Sequence, residues 1–150
     1  MGRLNELLTL AHERAESMQL PYAGALTPKE AYELRQLTPA SVIVDVRTRA
    51  ERDWVGRVPD AIEIDWVTYP GMQPNPDFLK TLSHSVTNDN LILFMCRSGG
   101  RSHAAAEAAA KLGFSSCYNI LEGFEGDKDA NQHRNTCNGW RHAGLPWIQS

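Results

Sequence analysis

Five consecutive apolar residues, Leu91-Ile92-Leu93-Phe94-Met95, leave no face for water and constrain this chain more than any other segment. The run is short and ends abruptly in Cys96-Arg97-Ser98-Gly99-Gly100-Arg101, which predicts a strand buried on both faces. Such strands belong to parallel sheets covered by helices on both sides. Other segments agree. Ser41-Val42-Ile43-Val44-Asp45-Val46 is a second apolar, β-branched run, residues 61–66 read as a strand with alternating faces, and residues 117–121 read as the last strand.

Helical segments fall between these strands. Thr27-Pro28-Lys29-Glu30 is a helix start with the residues of a capping box, predicting a helix to about Leu37. Asn75-Pro76-Asp77 starts another through about Leu82. Residues 102–112 are rich in alanine and stop at Gly113. Leu4, Leu7, Leu8, Ala11, Ala15 and Met18 recur at helical spacing, so residues 1–20 form an amphipathic extension expected to pack on the domain's own surface. Residues 21–150 form the main domain, and the polar, Asn-rich stretch 126–139 reads as an ordered loop or lid. The fold class is α/β, and 150 residues suit a single domain.

Composition narrows the function. A formal net charge of -3 supplies no general basic field, which argues against a dedicated nucleic-acid binder. No run of about 18 apolar residues occurs, so no membrane span is expected. Charged residues interrupt the first twenty positions, so no secretory signal is read and the cytoplasm is the expected location. Cys96, Cys117 and Cys137 cannot all pair with one another and show no metal-ligand spacing, which fits a reducing compartment with a working thiol and no bound metal.

Cys96 is that thiol. A buried cysteine at a strand end is ordinary core filler. Here it is followed at once by a glycine-rich basic loop and a helix start, which is where ligands bind in parallel α/β sheets. Ser98, Gly99 and Gly100 let successive backbone N–H groups turn inward as an anion nest. The positive end of the next helix and the charges of Arg97 and Arg101 favour a thiolate further.

The loop Cys96-Arg97-Ser98-Gly99-Gly100-Arg101-Ser102 resembles the active-site loop of rhodanese-like sulfurtransferases. Three further segments match in order: Asp45-Val46-Arg47 with Glu51 is similar to the family's D-x-R and glutamate, Gly56-Arg57-Val58-Pro59-Asp60-Ala61 to its G-H-I-P-x-A turn with Arg57 replacing histidine, and Gly144-Leu145-Pro146-Trp147 to its closing G-x-P. The resemblance spans residues 26–147. It implies a rhodanese-like fold with a five-stranded parallel sheet, and covalent catalysis without a cofactor. The Cys96 thiolate would take the outer sulfur of a small anionic donor such as thiosulfate, then pass it from a persulfide to cyanide, glutathione or a protein thiol. Arg97 and Arg101 would hold the donor, and the amides of residues 97–101 would stabilise the persulfide. Cysteine phosphatases use a C-x5-R loop, whereas Cys96 and Arg101 are spaced C-x4-R. That spacing puts phosphatase or arsenate reductase chemistry behind sulfur transfer, and a slow persulfide carrier or sensor that docks a partner stands as the alternative.

Around the loop, Asp45, Arg47 and Ser102 are expected to support it without touching substrate, with Arg47 paired to Glu51. Arg49, Arg52 and Asp53 are expected to form a solvated face. Cys117 is expected to pack in the core. Cys137, His133 and His103 are read as surface residues, with sulfur relay or a disulfide from Cys96 to Cys137 as the functional alternative. Either a monomer or a homodimer is compatible with the sequence.

Overall fold

A computed structural model describes residues 2–150. The run Leu91–Met95 is a strand whose last four residues have no measurable exposure, because consecutive side chains enter opposite cores. Ile92 and Phe94 pack with Val44, Ala105, Ala109 and Phe78 on one face, while Leu93 and Met95 pack with Leu7, Leu34, Ile120 and Trp140 on the other. Burial of four such side chains stabilises the fold by roughly 1.5–3 kcal/mol each.

In chain order the elements are α1 (Arg3–Met18), β1 (Gly24–Leu26), α2 (Pro28–Leu37), β2 (Ser41–Asp45), α3 (Arg49–Val55), β3 (Ile62–Glu63), β4 (Val67–Thr68), β5 (Gln73–Pro74), α4 (Phe78–Ser85), β6 (Leu91–Met95), α5 (Gly100–Leu112) and β7 (Cys117–Ile120). Five strands form one parallel sheet in the order β1-β7-β6-β2-β3. The α/β, five-stranded parallel architecture expected from the sequence is therefore present, with helices on both faces.

Several local features differ from expectation. The 61–66 segment keeps only two strand residues, although Ile64 N–H and Trp66 N–H still donate to Asp45 and Val46 carbonyls at 3.0 Å. The chain then turns into a small antiparallel hairpin, β4-β5. Helix α3 was not anticipated, yet its start carries a complete capping box. Thr48 Oγ1 accepts from Glu51 N–H at 3.2 Å and the Glu51 carboxylate accepts from Thr48 N–H at 3.1 Å. The expected box at Thr27 and Glu30 is present too.

Helix α1 buries Leu7 and Ala11 against β1 and α2, and Arg14 Nη2 donates to Glu30 at 3.0 Å. Among the described residues no helix is long and apolar enough to cross a membrane.

The register Asp45↔Met95 aligns the carboxyl ends of β2 and β6. Val46 N–H donates to Met95 O at 2.9 Å and extends that alignment by one residue. Whatever follows β2 is thus held beside whatever follows β6.

Candidate active site

Cys96 is the first residue past β6 and is only 1% exposed. Its Sγ accepts from Gly99 N–H at 3.1 Å and lies 3.3 Å from Ser102 Oγ, at the N-terminus of α5. Gly99 takes φ +117, a conformation side chains rarely adopt, and this turns its N–H back onto the sulfur. The carbonyls of Cys96 and Arg97 point the other way. Cys96 O accepts from Phe124 N–H at 2.8 Å, and Arg97 O accepts from Glu125 and Gly126 N–H at 3.0 and 3.2 Å. With those two carbonyls drawn outward, the Gly99 N–H faces the sulfur as a donor to negative charge.

Gly123 makes that grip possible. It has φ +68, and a Cβ there would lie 2.5 Å from Cys96 O and Arg97 C. Only glycine lets the 122–126 turn approach the loop so closely.

Beneath the sulfur runs a buried polar network. Ser102 Oγ lies 2.6 Å from Asn119 Oδ1 and 3.2 Å from Gly99 O, and Asn119 Nδ2 donates to Gly99 O at 3.3 Å. One hydroxyl carries one proton, so Ser102 serves a single acceptor at a time. Asn119 also bonds Tyr22, whose hydroxyl lies 2.7 Å from His103 Nδ1. Burial outweighs the Asn119 bond and pushes the Tyr22 hydroxyl up to about 12, so it stays protonated. His103 is therefore half-buried and bonded to this network, where the sequence places a free surface residue.

The charges are distributed differently from expectation. Arg47 pairs with Asp45 at 2.7 Å, not with Glu51, and both side chains are fully buried. Arg47 also donates to Gly56 O at 2.9 Å and lies 4.1 Å above the Phe124 ring, so it props the turn that grips the loop. Glu51 instead receives Arg101 through two bonds of 2.7 and 2.9 Å. Burial works against the Glu51 charge, but the Arg101 guanidinium and the Thr48 bonds outweigh it and hold the carboxyl at about 2. Arg101 is raised in turn: Glu51 overcomes the opposing effect of burial.

Arg52 also departs from expectation. It is 5% exposed and bonds Arg47 O and Asp65, whereas Arg49 remains exposed. Arg97 is exposed, and among the described residues its side chain makes no ion pair or hydrogen bond. Ser98 is half-buried in the loop, and Gly100 is exposed as the first residue of α5.

Arg97, Arg101 and Glu51 line a cleft of about 340 Å³ together with Trp54, Tyr69 and Met72. Among the described residues no three His, Cys, Asp or Glu side chains are grouped to hold a metal ion.

All three cysteines are free. Burial pushes Cys117 up to about 12, which leaves it an inert thiol inside β7. Cys137 is exposed in the 126–139 loop, and His133 is exposed beside it. That loop is organised around Asp129, whose carboxylate accepts from Asn131 N–H, His133 N–H and Thr136 Oγ1 at 2.7–2.9 Å.

The sequence profile of the Rhodanese-like domain matches residues 27–130. The uncharacterized protein RC0915 of Rickettsia conorii is 38% identical over 121 residues, covering 79% of this chain and 91% of its own. Thiosulfate sulfurtransferase 16, chloroplastic, of Arabidopsis thaliana is 34% identical over 113 residues, covering 73% and 89%. Among solved structures, Rv0390 from M. tuberculosis superposes with a TM-score of 0.77 at 42% identity, covering 86% of this chain and 99% of that one. The polysulfide-sulfur transferase homodimer from Wolinella succinogenes shares the fold at 18% identity, with a TM-score of 0.58 over 99% and 91% of the two chains. With its parallel sheet, its short loop after β6 and a profile match over most of its length, the chain belongs to the rhodanese-like domain family.

Proposed function

We propose that this protein is a sulfurtransferase that carries a sulfane sulfur as a persulfide on Cys96. The observation that carries the reading is the seat of Sγ, with the Gly99 N–H at 3.1 Å and the Ser102 hydroxyl at 3.3 Å at the start of α5. Such a seat stabilises negative charge on sulfur through directed donors and the helix end. The C-x4-R loop is one residue shorter than the C-x5-R cradle that wraps a tetrahedral phosphate, which supports sulfur transfer over phosphate chemistry. The sulfurtransferase name of the Arabidopsis relative supports the same class.

In the first step Cys96 Sγ⁻ attacks the outer sulfur of a donor such as thiosulfate. The S–S bond of the donor breaks, its electron pair leaves with sulfite, and Cys96 becomes a persulfide anion. In the second step a thiophilic acceptor, such as cyanide, glutathione or a protein thiol, attacks the terminal sulfur and returns the thiolate. Cys96 is the catalytic residue, the loop amides hold the charge, and Arg97 receives the anionic end of the donor.

Intact mass spectrometry after incubation with thiosulfate tests the reading. The expected result is a gain of one sulfur that cyanide discharges and that Cys96→Ser lacks. Absence of the adduct on the wild-type chain with every sulfane donor tried refutes it.

A further inference from the structure

Most arginines of this chain are taken up by a carboxylate: Arg14 by Glu30, Arg47 by Asp45, Arg52 by Asp65, Arg57 by Asp53, and Arg101 by Glu51. Arg35 and Asp60 behave otherwise. Both line one cavity of about 200 Å³, yet among the described residues neither makes an ion pair, with the other or with any third group.

The cavity is lined by side chains of α2 and by the turn between α3 and β3, on the Ile43 side of the sheet. It shares no lining residue with the cleft of Arg97 and Arg101, so it is a separate site, independent of the sulfur-transfer reading. Part of its lining is apolar. Ile43, Val58 and Trp140 are 3%, 5% and 1% exposed, and the Trp140 indole N–H is already spent on Pro146 O at 2.8 Å. The remainder is polar and unsatisfied. Arg35 Nη1 donates to Ser41 O, which fixes the guanidinium, while its Nε and Nη2 are accessible and have no partner among the described residues. Asp60 is exposed and its carboxylate accepts no bond there, nor does the hydroxyl of Tyr32, whose ring stands edge-on to Trp140 at 6.1 Å.

A guanidinium and a carboxylate that share a small, partly apolar cavity without touching are the complement of a zwitterion. Size sets the scale. At ~30 Å³ per water, about 200 Å³ holds roughly seven waters, which suits a body of under about ten non-hydrogen atoms. We propose that this cavity binds a small free α-amino acid with an apolar side chain. Its carboxylate bonds Arg35, its ammonium bonds Asp60, and its side chain covers Ile43, Val58 and Trp140. A peptide end carries only one of the two charges, so the free amino acid fits better.

L-Leucine, 4-methylpentanoate and 3-methylbutylamine share one side chain and differ in which charges they keep. Each is titrated into ¹⁵N-labelled protein while two-dimensional NMR follows the Trp140 indole N–H, which lies in the cavity lining. Leucine should shift this signal saturably, with half-saturation at about 0.1–1 mM. Either analogue should bind about tenfold more weakly, because each leaves one charged group without its partner. Asp60→Asn is the informative variant: the position is exposed, and asparagine takes its φ of +65 as readily, so the fold should hold. It should weaken leucine about tenfold and leave 4-methylpentanoate, which has no ammonium, bound as well as before. A merely structural effect would weaken both alike. Absence of a saturable leucine shift up to its solubility limit, equal binding of the three ligands, or equal weakening of leucine and 4-methylpentanoate in the variant overturns the proposal.

Discussion

Glu51→Gln isolates the charge that ties α3 to the loop. Glutamine keeps the volume and can still complete the capping box with Thr48, so the substitution removes chiefly the ion pair with Arg101. The Glu51 carboxyl is held at about 2 against an ordinary 4.5. At 1.36 kcal/mol per pH unit this is a ceiling of ~3 kcal/mol. The paired side chains are 20% and 19% exposed, and solvent screening brings the expected loss to ~2 kcal/mol at pH 7.

The sign follows from the depressed folded-state pKa. The stabilisation is fully present above about 4.5 and is lost as pH falls toward 2, with more than half gone by pH 3. Urea unfolding of wild type and variant at pH 7, 5, 4 and 3 measures it. The two curves should be separated at pH 7 and 5 and converge below 4. The variant also frees the Arg101 charge, so loading of Cys96 by thiosulfate should rise by about three- to tenfold. A stability difference below about 0.5 kcal/mol at pH 7, or one that does not change between pH 5 and pH 3, refutes the assignment of this pair.

Gly123→Ala would place a Cβ 2.5 Å from Cys96 O in a residue with φ +68. A loss of ~2 kcal/mol, read as a fall in Tm of about 4–8 °C, should accompany slower loading of Cys96. Ser102→Ala removes the side-chain donor nearest Sγ and should slow loading about tenfold; an unchanged rate would mean that Ser102 serves only Asn119. Cys117, at about 12, should resist iodoacetamide at pH 8 in the native protein and react only after denaturation.

Strand identity was legible where burial on both faces writes a continuous apolar run, as in Leu91–Met95. It was less legible where pairing, not side-chain pattern, decides. β1 is three residues long and exists because its backbone docks alongside β7, with Gly24, Ala25 and Leu26 opposite Tyr118, Asn119 and Ile120. A Gly-Ala-Leu segment announces no strand by propensity. Helix α3 did leave a signature, the Thr48 and Glu51 capping box, but its seven residues contain too few apolar positions to show a helical stripe.

The placement of Cys96 followed from the strand and the glycines, because both are local. The support around it is not local. Asn119 stands as a polar residue in an otherwise apolar strand, a signal that something buried must bond it, but only the β6-β7 pairing reveals that its partner is Ser102.

The arginines show why spacing alone misleads. Arg47 and Glu51 are four residues apart, which pairs them if the segment is helical, but β2 ends at Asp45 and the chain bends at 47, ahead of α3. In that bend the Asp45 carboxylate accepts from the Arg47 backbone N–H at 3.0 Å and from its guanidinium at 2.7 Å, so Asp45 claims Arg47. Glu51 is then free to turn to the helix start that parallel pairing of β2 and β6 brings beside it, and finds Arg101 fifty residues away. A loop that reads as doubly basic in sequence thus presents one free charge, on Arg97, to whatever brings sulfur to Cys96.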